Sequence, residues 1–237
     1  MPLTQIKTSG VAADAVTAAK LASDAVVTAS IVDDAVTADK LASNAVVTAS
    51  IVDDAVTSDK VSSDIKVAGL ETIYVPAAAM YPNSTAGCAD LEQVELSNGP
   101  EIKCLDFDAS SDENAQFTVA FPKSWNEGTV TFQAFFTVTG TNTGTVAWGL
   151  SGVSFADNAD INTAFGTNVV ATAKAHSGTS NDMNVTAVSG AVTITGAAVD
   201  TQTYFQVMRD VSADDQTGDA RLLGIKLFFT TNASNDA

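Results

Sequence analysis

Two textures divide the chain. Up to about residue 70 the apolar positions recur with a ten-residue beat, and beyond it they alternate with polar ones in short runs. Residues 31–40 read IVDDAVTADK and residues 51–60 read IVDDAVTSDK; residues 21–30 read LASDAVVTAS and residues 41–50 read LASNAVVTAS. Self-similarity at a fixed period marks a repeat architecture. Ten α-helical residues turn through about 1000°, roughly 80° short of three full turns. An apolar stripe with this beat would wander around a helix, and a heptad coiled coil does not fit it. An even period suits an extended chain, where every copy keeps the same face. The fourth position is Asp or Asn, which is turn chemistry. The pattern predicts a mainly β fibrous shaft over 11–70, with room for short helical turns in alanine-rich segments such as 37–42. Burying one Val or Leu is worth roughly 1.5–3 kcal/mol, while ordering each residue costs about 1–2 kcal/mol. A lone shaft of small residues loses that comparison. The apolar row Val16, Leu21, Val26, Ile31, Val36, Leu41, Val46, Ile51, Val56 and Val61 is therefore expected to form a core shared between chains.

The rest of the chain, 71–237, reads as strand and turn. Extended runs are expected at 72–76, 102–107, 117–121, 129–139, 145–155, 184–188, 192–195, 203–211 and 221–230. In the fourth of these, Val130, Phe132, Ala134, Phe136 and Val138 alternate with polar residues, except that Phe135 puts a ring on the opposite face. Leu223, Ile225, Leu227 and Phe229 alternate in the last. Asn98-Gly99-Pro100, Ser177-Gly178 and Ser189-Gly190 mark turns between runs. Nine short strands fit an antiparallel jelly-roll-like β-sandwich. One helix is expected near 157–165, capped by Asp157 or Asn158 and ended by Gly166. The fold class is thus all-β throughout.

Composition agrees with this division. All 16 aromatic residues lie from Tyr74 onward. The net charge is −17, from 28 acids and 11 bases, so the field repels phosphate and no nucleic-acid partner is expected. No apolar run is long enough for a membrane span, and no membrane insertion is expected. The polar opening Met1–Lys7 lacks the apolar region of a secretory signal, so cytoplasmic synthesis without export is expected. A single histidine and two cysteines exclude His-rich sites, zinc fingers and iron–sulfur clusters.

Little chemistry is legible. His176 lies in a polar loop segment and is expected to be solvated. Cys88 and Cys104 lack a paired base, and whether they bond to each other is open. Two carboxylate clusters stand out: Asp106, Asp108, Asp112 and Glu113, then Asp210, Asp214, Asp215 and Asp219. Both read as solvated turns following strands. A glycosidase would need two carboxyls at a set separation, and calcium binding by these loops is left open. No catalytic residue, cofactor or metal ligand is assigned. Candidate binding positions on the loops are Trp125, Asn126, Asn142, Asp214 and Asp215, with Trp125 either stacking on sugars or packing over a sandwich edge.

The block IVDDAVTADKLASNAV from Ile31 resembles the shaft repeats of bacteriophage tail-fibre proteins, which commonly read IADGAVT-x-AKL. Here Asp34 or Asn44 stands where that family has glycine, so tighter or more helical turns are expected. The opening IKTSGV from Ile6 is also similar to the start of such fibres, which makes 1–10 an attachment peptide for another virion protein. The stretches PKSWNEGTVTF from Pro122, VAWGLSGVSF from Val146, FQVMRDVSADD from Phe205 and DARLLGIKLFFTT from Asp219 resemble a small domain of phage and prophage structural proteins. The resemblance implies a homotrimeric virion fibre on the particle surface, with a β-sandwich tip and no catalytic residue. It implies host recognition as an adhesin, with a cell-surface receptor as partner and glycan among the candidates. The alternatives are a capsid-attached fibre or decoration protein and a glycan-degrading tailspike.

Overall fold

The computed structural model describes residues 12, 15–23, 25–27, 31–33, 35–52, 55, 56 and 69–232. The chain divides into two compact units, Met1–Ser62 and Ser63–Ala237. Val61 and the expected attachment peptide 1–10 lie outside the described residues.

In the first unit the ten-residue beat halves. A backbone N–H three residues on reaches back to a carbonyl at Ala12, Thr17, Ala22, Val32, Thr37, Ala42, Val47 and Val52, at 2.8–3.1 Å. Tight turns thus recur every five residues, and Ala18–Lys20, Ala38–Lys40 and Thr48–Ser50 close as single 3₁₀ turns. Val47 and Ile51, on either side of the last, are extended. The helical turn anticipated within 37–42 is present, and no strand forms among the described residues of this unit. Lys20 and Lys40 each donate from Nζ to a carbonyl five residues back, Ala15 and Ala35, at 2.8 and 2.7 Å. Asn44 adopts φ 63°, the left-handed conformation that glycine, and among other residues mainly Asn and Asp, adopts readily.

The described residues of the second unit form fourteen strands. The long ones are β1 (Gly69–Pro76), β4 (Ile102–Phe107), β5 (Glu113–Val119), β6 (Thr131–Val138), β8 (Trp148–Phe155), β13 (Gln202–Arg209) and β14 (Ala220–Thr231). The short ones are β2 (Tyr81–Pro82), β3 (Glu92–Val94), β7 (Thr145–Val146), β9 (Val169–Val170), β10 (Lys174–Ala175), β11 (Asn184–Val185) and β12 (Ile194–Thr195). One sheet runs β11-β6-β14-β4-β3, with β1 alongside the second half of β14; the other runs β12-β8-β13-β5-β2, with β9 beside β8. All pairings are antiparallel except the short β12–β8 one. The strands β4, β5, β6 and β8 pass alternately to one sheet and the other, giving a jelly-roll-like sandwich.

The core lies between the sheets. Trp148 from β8 meets Phe107 of β4 edge-on at 4.9 Å and Phe136 of β6 at 5.7 Å. Phe121 bridges Phe205 of β13 and Phe229 of β14. The alternation in β6 holds: Phe132, Ala134, Phe136 and Val138 are fully buried, and Phe135 meets Tyr74 on the outer face at 5.7 Å. In β14 the expected row is corrected by one residue. A register shift between Leu222 and Gly224 buries Leu222 in place of Leu223, so the inward set is Leu222, Ile225, Leu227 and Phe229. Gly224 is required there, because a Cβ would sit 2.7 Å from the Val75 carbonyl and 2.4 Å from the Tyr74 hydroxyl.

Two further expectations change. Residues 157–165 form no helix: the chain turns at Asn158, φ 61°, bends again at Ile161 and continues without regular structure to β9. Tertiary pairing of 166–170 with the β8 edge outweighs the local helix preference, as Gly166 donates to the Gly152 carbonyl. The expected run 145–155 breaks at Ala147 into β7 and β8, where the Ala147 carbonyl accepts from Asp210.

Candidate functional site

The outer face of the second sheet is set by the strand register. Across β8, β13, β5 and β2 the rows Ser151–Gln206–Gln116–Tyr81 and Val153–Tyr204–Thr118 stand side by side. The period-2 alternation of β13 turns Phe205 and Val207 inward and Tyr204 and Gln206 outward. Asn83 donates to the Gln206 side chain at 2.9 Å, which fixes one end of the amide row. Phe155 meets Tyr204 edge-on at 5.7 Å. The segment after β8 folds back over this face and builds a wall with Ile161, Thr163 and Phe165. Floor and wall enclose a cleft of about 200 Å³, with Gln116, Phe155 and Tyr204 on its floor. A groove of about 600 Å³ is lined by Thr167, Thr193 and Thr195, and Phe165 lines both it and the cleft. Ile161 is 74% exposed.

None of the five loop positions selected from sequence lies among the lining residues of this cleft. Trp125 is corrected: it is 1% exposed and stacks on Phe121 at 4.1 Å, so it packs the sandwich edge. Asp214 is corrected too, because its carboxylate is paired with the fully buried Arg209 at 2.8 Å. Asn126 is exposed and accepts from the Gly128 amide. Asn142 joins Thr217 and the Gly144 amide, and Asp215 accepts from the Thr145 amide and hydroxyl. These hydrogen bonds hold Asp215 below the usual carboxylate range. Among the described residues, Phe155, Phe165 and Tyr204 are aromatics that line a cavity. The strand alternation of 203–211 carried the signal for Tyr204, and the expected helix concealed the one for Phe165.

Arg209 was not singled out from sequence. It donates to both Asp214 oxygens and to the carbonyls of Phe107, Gln216 and Gly218, and so pins the loop 210–219. His176 is corrected as well. It is 3% exposed, with Nδ1 2.7 Å from the Asn142 carbonyl and Nε2 2.9 Å from the Thr179 carbonyl. Cys88 and Cys104 are free and buried. Burial first, and then neighbouring carboxylates, push both thiols up to about 12, which makes them poor nucleophiles.

The two carboxylate clusters divide by role. Asp112 accepts from the Val211 amide, and Asp210 caps the turn Val211–Ala213 through Ser212. Asp106, Asp108, Glu113 and Asp219 instead converge on a third cavity of about 290 Å³ beside Gly87–Ala89. Burial raises the Glu113 carboxyl, helped by the charges of Asp108 and Asp219. The hydroxyl and amide of Ser110 lower Asp108. Glu92, Cys104 and Asp106 also bring donor atoms within 4.8 Å of one another, but Arg221 already sits 3.3 Å from Asp106 and 4.0 Å from Glu92.

No family model and no curated protein matches the sequence. Among solved structures, the chain is similar to the CBM36-1 domain of a multidomain xylanase from the hindgut metagenome of Trinervitermes trinervoides. The identity is 13% and the TM-score 0.36, over 66% of this chain and 96% of that one. It is similar to a family 11 carbohydrate-binding module from Clostridium thermocellum, solved with a mixed-linked tetrasaccharide, at 8% identity and TM-score 0.38, over 66% and 94%. It is also similar to xylanase modules of Clostridium thermocellum complexed with xylohexaose, at 16% identity and TM-score 0.38, over 69% of this chain but only 28% of that one. Likenesses this distant decide nothing about what this chain binds.

Proposed function

We propose that this chain is a bacteriophage virion fibre protein: a homotrimer with a repetitive shaft, joined to another virion protein through its N-terminus. Its β-sandwich binds a host-cell receptor without breaking a bond. One observation carries the reading. In the lone chain the nine described residues of the apolar row, from Val16 to Val56, recur every five residues and stay 44–59% exposed. Covering half-exposed Val, Leu and Ile gains about 1 kcal/mol per side chain. Identical chains set in register cover the whole row at once, which an unrelated partner does not do as simply. The resemblance of the repeat to phage fibre shafts gives the assembly its setting. The cleft beside Tyr204 gives the sandwich a surface for recognition, presented on a rigid sheet.

The test combines mass and adhesion. Light scattering is expected to give about three times the chain mass of 24.2 kDa, and a Leu41→Asp, Ile51→Asp variant is expected to dissociate. A wild-type monomer at micromolar concentration refutes the shaft reading. Purified protein is expected to adhere to host bacteria, more strongly in millimolar calcium or magnesium, because residues 72–237 carry 18 acids against 6 bases. Absence of adhesion favours a capsid-attached decoration protein. A second reading, a glycan-degrading tailspike, draws support from the Asp108 and Glu113 carboxyls, which are shifted in opposite directions beside one cavity. Release of reducing sugars that is lost in Glu113→Gln would establish it.

A further inference from the structure

The cleft and the groove meet at Phe165, and we infer that together they hold the interior of a linear, neutral glycan, an assignment that rests on the receptor-binding reading above. The first argument is charge. Among the described residues no Asp, Glu, Lys or Arg lines either cavity, in a chain that carries 28 acids and 11 bases. A ligand seated there finds no ion-pair partner, and the field of a protein at −17 repels anionic chains before they arrive. Uronate- or sialate-bearing polymers are selected against on both counts.

The second argument is the chemistry of the lining. Tyr204, Phe155 and Phe165 offer ring surface, while the Gln116 amide and the hydroxyls of Thr163 and Thr193 offer hydrogen bonds. A sugar ring presents an apolar C–H face and a rim of hydroxyls, and it matches both at once. A purely apolar ligand would strip water from the amide and hydroxyls without replacing it, at about 1–3 kcal/mol for each group left unpaired. Such a mixture of ring surface and a few placed polar groups is the usual make-up of a small-molecule site.

The third argument is extent. The cleft of about 200 Å³ has room for about one sugar ring, and the groove of about 600 Å³ continues beyond the same phenylalanine. Phe165 lines both cavities, so rings of one chain seated in each would share contact with it. The floor is rigid, because β13 is paired along its whole length with β5 and β8. The site is therefore formed before the ligand arrives, which limits the ordering cost of binding.

The test uses the full chain on an array of neutral and acidic oligosaccharides of increasing length, with adhesion to a panel of bacterial strains measured in parallel. Neutral linear chains are expected to bind, roughly tenfold more tightly at four or more sugars than as monosaccharides. Phe165→Ala is expected to lower that affinity roughly tenfold. Ile161→Asp, at a position too exposed to affect folding, is expected to weaken it by removing apolar wall surface from the cleft. Tighter binding to acidic glycans, equal affinity for one sugar and for six, or full affinity in both variants overturns the inference. A blank array with retained adhesion overturns the glycan assignment and leaves the receptor reading standing. Failure of both overturns both.

Discussion

Replacing Arg209 by methionine keeps much of the side chain's bulk and removes its charge and its hydrogen bonds. Arg209 is fully buried and Asp214, its partner, has a side chain only 2% exposed. The guanidinium makes five hydrogen bonds, two to Asp214 and one each to the carbonyls of Phe107, Gln216 and Gly218. Without it the carboxylate keeps the Gln216 amide at 2.8 Å and the distant Ala147 amide at 3.4 Å, but loses its countercharge. Breaking a buried pair from one side costs about 3–5 kcal/mol, and three orphaned carbonyls push the loss towards the upper end. That is a large share of the ~5–15 kcal/mol that stabilises a typical domain. Arg209→Met, Asp214→Leu is expected to recover part of it, since no uncompensated charge then remains buried. Glu92→Ala supplies the contrast: its contact with Arg221 spans 4.0 Å at a side chain 57% exposed, and such pairs are worth about 0–1 kcal/mol. Urea unfolding followed by tryptophan fluorescence is the assay. Both tryptophans, Trp125 and Trp148, lie in the sandwich, and Trp148 stands opposite Arg209 in the ladder, so the signal reports this unit. A loss below about 1 kcal/mol for Arg209→Met, at unchanged denaturant slope, would show that water reaches the pair and that the loop 210–219 is not pinned by it.

Glu113→Gln is expected to raise the melting temperature near neutral pH and to give no advantage at about pH 4. The folded-state value of Glu113 is raised, so its favourable contribution is complete below its ordinary value of 4.5 and is lost as pH rises through the raised one; an equal gain at both pH values would refute the assignment. Gly224→Ala is expected to cost about 1–3 kcal/mol, because the new methyl group meets the Val75 carbonyl and must displace β1. Unchanged thermal unfolding of that variant would mean that β1 shifts freely.

The all-β class and most long strands were legible because alternation is a local property. Phe132 and Phe136 face inward and Phe135 outward as the pattern of residues 129–139 requires, whatever lies across the sheet. The shaft repeat was legible for the same reason, and so was its unburied apolar row. Its five-residue turn period was less visible, since the first and sixth positions carry the same residue class while the polar residues between them differ. Tertiary structure decided the rest. The inward face of β14 follows Leu222 and not Leu223, because a register shift depends on the strands either side. Residues 157–165 had caps for a helix, yet the residues that follow, Gly166 and Val169–Val170, pair with β8 and hold the chain in a different path. Trp125 has the same sequence context whether it faces solvent or the core, and only Phe121 beside it settles which. Carboxylates far apart in sequence, Asp106 and Asp219, line one cavity, and the single buried arginine finds its acid five residues on. The cleft itself is made by Gln116, Phe155, Phe165 and Tyr204, which come from three strands and a loop. Sequence specifies which way each strand residue points; only the pairing of distant strands decides which of those residues become neighbours.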